Sequence, residues 1–373
     1  MTHADFIVIG AGIAGASIAY ELSRAASVRV IEAEMQPGQH ATGRSAALFS
    51  EIYGNEAVRA LSRASRGFLA APPDGFSDGA MLLPRGAMFV ATREQAETFA
   101  ELCAEPGIGS HTQRIDTDEA LARVPILRRD HAVQVLLEED AQDIDVHALH
   151  RGFLRGLKRN GGTLALGDRV ESIARNGAGW EVVAGAQVCH ASVVVNAAGA
   201  WADDVAALAG LPCIGLEPRR RTAMILELPS GMDPRTWPMV FDVAEAFYFK
   251  PDAGRLLLSP ADETLSPPVD AVPDDMDVAV AVDRFERATT MTVHHVPSSW
   301  AGLRTFAPDR TPVVGFETSA PGFFWLAGQG GYGIQTAPAL SRVAAALALG
   351  DALPQDLVDH GVDVAVLSPR RLR

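Results

Sequence analysis

Cysteine is scarce. Cys103, Cys189 and Cys213 are the only thiols in 373 residues, and they form no CxxC pair and no metal-ligand spacing. A disulfide scaffold and a cysteine-based metal centre are therefore excluded, and free thiols in a reducing compartment are expected. No apolar stretch reaches the length of a bilayer span. The nearest approach is the C-terminal helix, which Gln335, Ser341 and Arg342 interrupt. No signal peptide is expected, because a strand pattern already begins at Asp5. There is no internal repeat, no low-complexity tract and no Ser–His–Asp arrangement. His147 and His150 lie three apart on a helix without a third ligand nearby, so they read as a solvated face and no metal is expected. Positive charge is in the minority: 32 basic residues face 46 acidic ones, a formal net charge of −14. Nucleic acid and anionic membrane are poor partners for such a surface. A cytoplasmic location is expected, with peripheral attachment to the inner membrane left open.

What is present is a globular composition, 48% hydrophobic and 21% charged, in a chain long enough for two domains. Its most informative segment is the first. Residues 5–9 are an apolar run, Gly10-Ala11-Gly12-Ile13-Ala14-Gly15 follows at once, and residues 16–25 read as a helix. A second apolar run, 27–31, ends on Glu32. This is a dinucleotide fingerprint with strand, helix and acid in register. Gly10 permits the tight turn, Gly12 lets backbone approach a pyrophosphate, and Gly15 lets helix and strand pack closely. Glu32 is placed to accept hydrogen bonds from a ribose hydroxyl, and the helix N-terminus offers free N–H groups to phosphate.

Further along, residues 55–69 have helical spacing, 116–123 read as a capped helix, and 145–160 as an amphipathic helix. Residues 81–92 and 163–173 have strand character. Residues 192–196 read as a buried strand followed by the small-residue turn Ala197–Trp201. From about 218 to 295 the pattern reads as strands and proline-rich loops of an antiparallel sheet. The end returns to α/β character: strand 322–327, glycine-rich turn 328–333 and apolar helix 334–349.

Together the blocks VIGAGIAGAS, TGRSAA, VNAAGAW, FYFKPDAG, WAGLR, GQGGYGIQT and LSPRRL resemble the flavin-dependent D-amino acid oxidase (DAO) superfamily, nearest to its bacterial D-arginine dehydrogenases. The resemblance implies an α/β fold. A Rossmann-like FAD domain of the glutathione-reductase type (1–75, 140–213 and 302–373) would join a substrate domain with a mixed or antiparallel sheet (76–139 and 214–301). It implies non-covalent FAD, and hydride transfer from the Cα of a D-amino acid to flavin N5, giving an imino acid that hydrolyses to a 2-oxo acid. Electrons would then leave to an acceptor, a quinone or another carrier. Besides the fingerprint residues Gly10, Gly12, Ile13, Ala14, Gly15, Glu32 and Ala33, the cofactor would touch Arg44, Ser45, Ala46, Val170, Ala198, Gly199, Trp201, Gly330, Gly331, Tyr332, Gly333, Ile334 and Thr336. Arg221, Tyr248 and Arg304 match the groups that hold a substrate carboxylate, a role suited to a guanidinium fork. Tyr53 matches a mobile-loop tyrosine, and Gln335 and the Gly302 carbonyl match groups near the amine. No side chain is an obvious base.

The side-chain pocket would be lined by Leu48, Ser50, Ala87, Met239 and Phe241. Where the D-arginine dehydrogenases carry a glutamate, a histidine and a valine, this chain has Ala87, Leu48 and Phe241. Each change is toward apolar, so neutral or apolar substrate side chains are expected, with Glu51 as the one candidate for a replacement carboxylate. Two other readings stay open: an oxidase of a secondary amine or N-methyl amino acid, and a non-catalytic FAD-binding protein.

Overall fold

The first strand, Thr2–Ile9, lies in the middle of a parallel sheet in a computed structural model that describes residues 2–177 and 179–373. Val28–Ile31 flanks it on one side and Gln187–Asn196 on the other. Both faces are covered, which is why the strand reads as a continuous apolar run. Val8 faces a core with Ile18, Leu22, Leu340 and Val343 from the helices Ile13–Leu22 and Gly333–Leu349. Ile7 and Ile9 face a second core with Trp180, Val194 and Trp325. Thr163–Ala165 extends the sheet at one edge; Phe323–Ala327 and the antiparallel Val313–Phe316 extend it at the other. The first half of Gln187–Asn196 also pairs with Gly179–Ala184, which pairs in turn with Val170–Asn176.

A nine-stranded sheet forms the second layer. Its centre runs Glu217–Leu226, Arg255–Ser259, Tyr248–Asp252, Met239–Asp242, Ala87–Ala91, Gln134–Glu138. Its pairings are antiparallel except that of Ala87–Ala91 with Met239–Asp242, so the sheet is mixed. Ser298–Phe306 pairs with Glu217–Leu226 along nearly its whole length, running across position 302. A three-stranded sheet joins Leu48–Phe49, Gln142–Ile144 and Leu82–Pro84. The nine-stranded sheet touches the turn that follows Phe323–Ala327 through backbone: Phe306 bridges Gln329, and Gly330 N–H donates to the Thr305 carbonyl at 2.8 Å.

Several sequence expectations need correction. The stretch read as 163–173 is two strands broken at Gly167, whose φ is +71°, and 81–92 is likewise broken at Gly86, φ +75°. The strand-and-loop reading of 218–295 misses a helix, Asp275–Ala288. Val278, Val280 and Val282 alternate as a strand would. Packing decides otherwise: Ala281, Phe285 and Ala288 recur at helical spacing and are buried, and Asp274 accepts from Met276 N–H as a cap. The cap expected for 116–123 is in place at Asp116, and Asn55 and Asp145 likewise accept from the backbone of their helices.

Candidate functional site

The fingerprint turn has the geometry its sequence demands. Gly10 sits at φ +97°, and a Cβ there would stand 2.6 Å from the Ala197 carbonyl oxygen. A Cβ on Gly15 would stand 1.8 Å from the Gly10 oxygen, so strand and helix approach too closely for any side chain. Ala11 N–H donates to Glu32 Oε2 at 2.7 Å, and Glu34 N–H to Oε1 at 3.0 Å. Thr42 Oγ1 accepts from Ile13 N–H at 2.9 Å and ties the following loop to the helix start. His150 is buried here, its Nε2 2.8 Å from the Ala11 carbonyl, so the solvated-face reading fails for it while His147 is exposed. Burial holds the His150 imidazole below its usual range.

One cleft runs from this turn past Ala198, Gly199 and Trp201, and past Gly330, Gly331, Gly333 and Ile334, to Arg221, Tyr248, Gly302 and Arg304. Ile13, Ala14, Ala33, Arg44, Ser45, Ala46 and Val170 also line it. The donor set suits a dinucleotide: bare backbone at Gly10 and Gly12, a helix N-terminus, and an acid at the end of the second strand. Thr305 is also among the lining residues, and its buried hydroxyl has no hydrogen-bond partner among the described residues.

At the far end three side chains converge. Arg304 donates to the Tyr53 hydroxyl at 3.2 Å. Arg221 donates from Nε to the Asp262 carbonyl at 2.8 Å and from Nη2 to Glu263 at 3.1 Å. Arg310 holds the same Glu263 with bonds of 2.9 and 3.0 Å. Burial alone would push the Tyr248 hydroxyl up, but the charges of Arg304 and Arg221 outweigh it and draw its pKa below the ordinary tyrosine value. Tyr332 packs edge-on to Tyr53, ring centroids 4.8 Å apart, and burial pushes its pKa up to about 12.

Other expected site residues lie away from the open cleft. Gly15 is internal to the helix, and Thr336 Oγ1 bonds the Tyr332 carbonyl at 2.9 Å. The Gln335 amide is spent: its oxygen accepts from Ser50 N–H at 3.1 Å and its nitrogen donates to Ser62 Oγ at 2.8 Å. Leu48, Met239 and Phe241 pack in one apolar cluster with Tyr248. Ala87 is fully buried on its strand, and Ser50 Oγ donates to Glu138 at 2.7 Å. Glu51, expected as a spare carboxylate, is taken up by Arg66 and, at 3.4 Å, by His111. Glu138, Glu263 and Arg310 have no signal in the sequence. Thr42 had one, because it opens the TGRSAA block. Among the described residues no cluster of His, Cys, Asp and Glu could hold a metal, and no helix is long and apolar enough to cross a membrane.

Residues 5–347 match the family model described as FAD dependent oxidoreductase, DAO. The chain is 26% identical over 376 residues to the uncharacterized oxidoreductase YurR of Bacillus subtilis, covering 95% of this chain and 97% of that one. It is 29% identical over 181 residues to FAD-dependent oxidoreductase domain-containing protein 1 of Xenopus laevis, 43% of this chain, and spans 35% of that protein's length. The fold is shared with L-proline dehydrogenase from P. horikoshii (TM-score 0.82, 23% identity, 99% and 98% of the chains covered). It is also shared with glycine oxidase from Geobacillus kaustophilus (TM-score 0.81, 22% identity, 99% and 98% covered).

Proposed function

The chain belongs to the DAO family of FAD-dependent oxidoreductases, and from that premise we propose that it oxidises the α-carbon–nitrogen bond of an amino acid, a D-amino acid with a neutral or apolar side chain. FAD is its cofactor and, when bound, supplies the two-electron acceptor. In this reading the turn at Gly10 and Gly12 and the N-terminus of Ile13–Leu22 receive the phosphates, and Glu32 receives a ribose hydroxyl.

The observation that carries the substrate reading is Arg304. It is a cleft-lining guanidinium whose one side-chain partner is a neutral phenol, with a second guanidinium, Arg221, close enough to act on the same Tyr248 hydroxyl. Such a pair is short of one negative charge, and an α-carboxylate supplies it with two-point geometry. Tyr53 and Tyr248 then offer hydroxyls to the same carboxylate. Leu48, Met239 and Phe241 do not line the open cleft but pack against Tyr248, so the wall behind that residue offers a cationic side chain no partner. Among the described residues the groups that act on Arg304 are Tyr53, Tyr248 and Glu263, none of them an imidazole or an ammonium. Lys250, two residues after Tyr248, is committed to Asp143, so the substrate amine has to arrive neutral or shed its proton to solvent. The D-configuration in this reading rests on the resemblance of the motif blocks to those of D-arginine dehydrogenases.

Anaerobic mixing of the FAD-loaded protein with D-, L- and N-methyl amino acids tests this. Bleaching of the flavin by neutral D-amino acids supports the reading. Bleaching only by secondary or N-methyl amines, or by none of the panel, replaces it.

A further inference from the structure

Glu138 is a buried carboxyl, 2% exposed, at the end of the strand Gln134–Glu138, and nothing in the proposed chemistry uses it. No cation pairs with it among the described residues. It accepts instead from two neutral donors, Ser50 Oγ at 2.7 Å and Glu51 N–H at 3.1 Å. The charged groups that act on it are Glu51, which opposes its ionisation, and Arg66, which favours it and is itself bonded to Glu51. A carboxyl so placed is costly to bury, and an apolar side chain would fill the same space more cheaply.

What it holds explains its place. Ser50 is gripped from two directions: Glu138 takes its hydroxyl, and Gln335, near the start of the helix Gly333–Leu349, takes its backbone N–H and, at 3.3 Å, its carbonyl. One grip comes from a strand of the nine-stranded sheet and the other from a helix, and together they fix one short segment. Three residues on, that segment presents Tyr53 to Arg304, and Gly54 turns the chain away at φ +87° into the helix Glu56–Ala70. We propose that Glu138 is a positioning residue of the carboxylate site: by holding Ser50 and Glu51 it sets where the Tyr53 hydroxyl stands at Arg304, and so how tightly a carboxylate binds there. This rests on the carboxylate reading of Arg304 given above.

The test uses the oxidised, FAD-loaded protein and propionate, titrated by the shift of the flavin absorption band. It compares wild type, Glu138→Gln, Tyr53→Phe and the double variant. If Glu138 acts through Tyr53, Glu138→Gln raises the propionate Kd about fivefold in the wild-type background and changes it little in the Tyr53→Phe background. Ser50→Ala, which removes the same bond from its other end with a minimal change in volume, should shift Kd the same way and decides the matter if Glu138→Gln does not fold. Equal effects of Glu138→Gln with and without the Tyr53 hydroxyl, or no effect of either Glu138→Gln or Ser50→Ala, overturn the positioning role while leaving the carboxylate site standing. Failure of propionate to perturb the flavin of the wild type removes the carboxylate reading and this inference with it.

Discussion

Arg304 donates to the Tyr53 hydroxyl at 3.2 Å, whereas its neighbour Arg221 is bonded to a carboxylate, Glu263, which it shares with Arg310. The two arginines are therefore not equivalent, and their removal should not be either. Arg304 is the one with no carboxylate bonded to it among the described residues.

Arg304→Met is expected to lower kcat/KM by about a hundredfold or more, the loss of a charge-assisted pair of roughly 3 kcal/mol, while FAD stays bound. Steady-state kinetics on neutral D-amino acids, with the flavin spectrum as control, measure this. A variant within about threefold of wild type takes Arg304 out of the site.

FAD should be held without a covalent bond, and its site should not survive a side chain at Gly15. Acid precipitation of the wild type should release the yellow colour into the supernatant. Gly15→Val should yield protein without flavin, because even a Cβ would lie 1.8 Å from the Gly10 oxygen. Colour retained in the wild-type pellet refutes the first half, and a yellow Gly15→Val the second.

D-arginine and D-lysine should be poorer substrates than D-leucine or D-methionine. Leu48, Met239 and Phe241 cluster at Tyr248, and both nearby carboxyls are engaged, Glu51 with Arg66 and Glu138 with Ser50. A cationic side chain would lose water without gaining a partner. Ala87→Glu should not repair this. Residue 87 is fully buried and registers against Glu138, so a second carboxyl there should lower Tm instead. The comparison is kcat/KM across the four substrates, with the Ala87→Glu melting curve. A preference for D-arginine in the wild type sinks the pocket argument.

Glu138's contribution to stability should fall as pH rises from about 5 to 7, against the opposite trend of buried His150, whose lowered pKa favours the fold as pH rises. Burial pushes the Glu138 pKa up to about 7 from an ordinary 4.5, so between those values the folded chain binds a proton that the unfolded chain has released. The stability lost across that window is on the order of 3 kcal/mol. Urea midpoints at a series of pH values should show wild type losing stability relative to Glu138→Gln across that window. Identical profiles would mean that Glu138 does not titrate there.

The dinucleotide half of the cleft was legible because its physics is local. Gly10, Gly12, Gly15 and Glu32 lie within one strand–turn–helix–strand unit, and each glycine answers a steric demand set by residues close in the chain or in the adjoining turn. The substrate half was legible only through motif blocks, and only in part. The bond from Ser50 to Glu138 spans 88 residues and that from Ser50 to Gln335 spans 285, and neither partner carries a local pattern that announces the other. Glu263 and Arg310 are hidden for the same reason: strand register brings Glu263 beside Arg221, and Arg310 reaches Glu263 from the turn after Ser298–Phe306. The helix Asp275–Ala288 was lost to its own valines, whose alternation imitates a strand until the buried face of Ala281, Phe285 and Ala288 is known.

The bridge between Phe306 and Gln329, with the Gly330 bond to Thr305, ties the nine-stranded sheet to the turn that leaves the parallel sheet, a residue away from Arg304. Heat should therefore not dismantle the molecule in halves. Loosening either sheet withdraws support from the wall that both share, so a single melting transition is the natural behaviour. A ligand seated along that wall should move the whole transition upward and leave no early shoulder belonging to one layer alone.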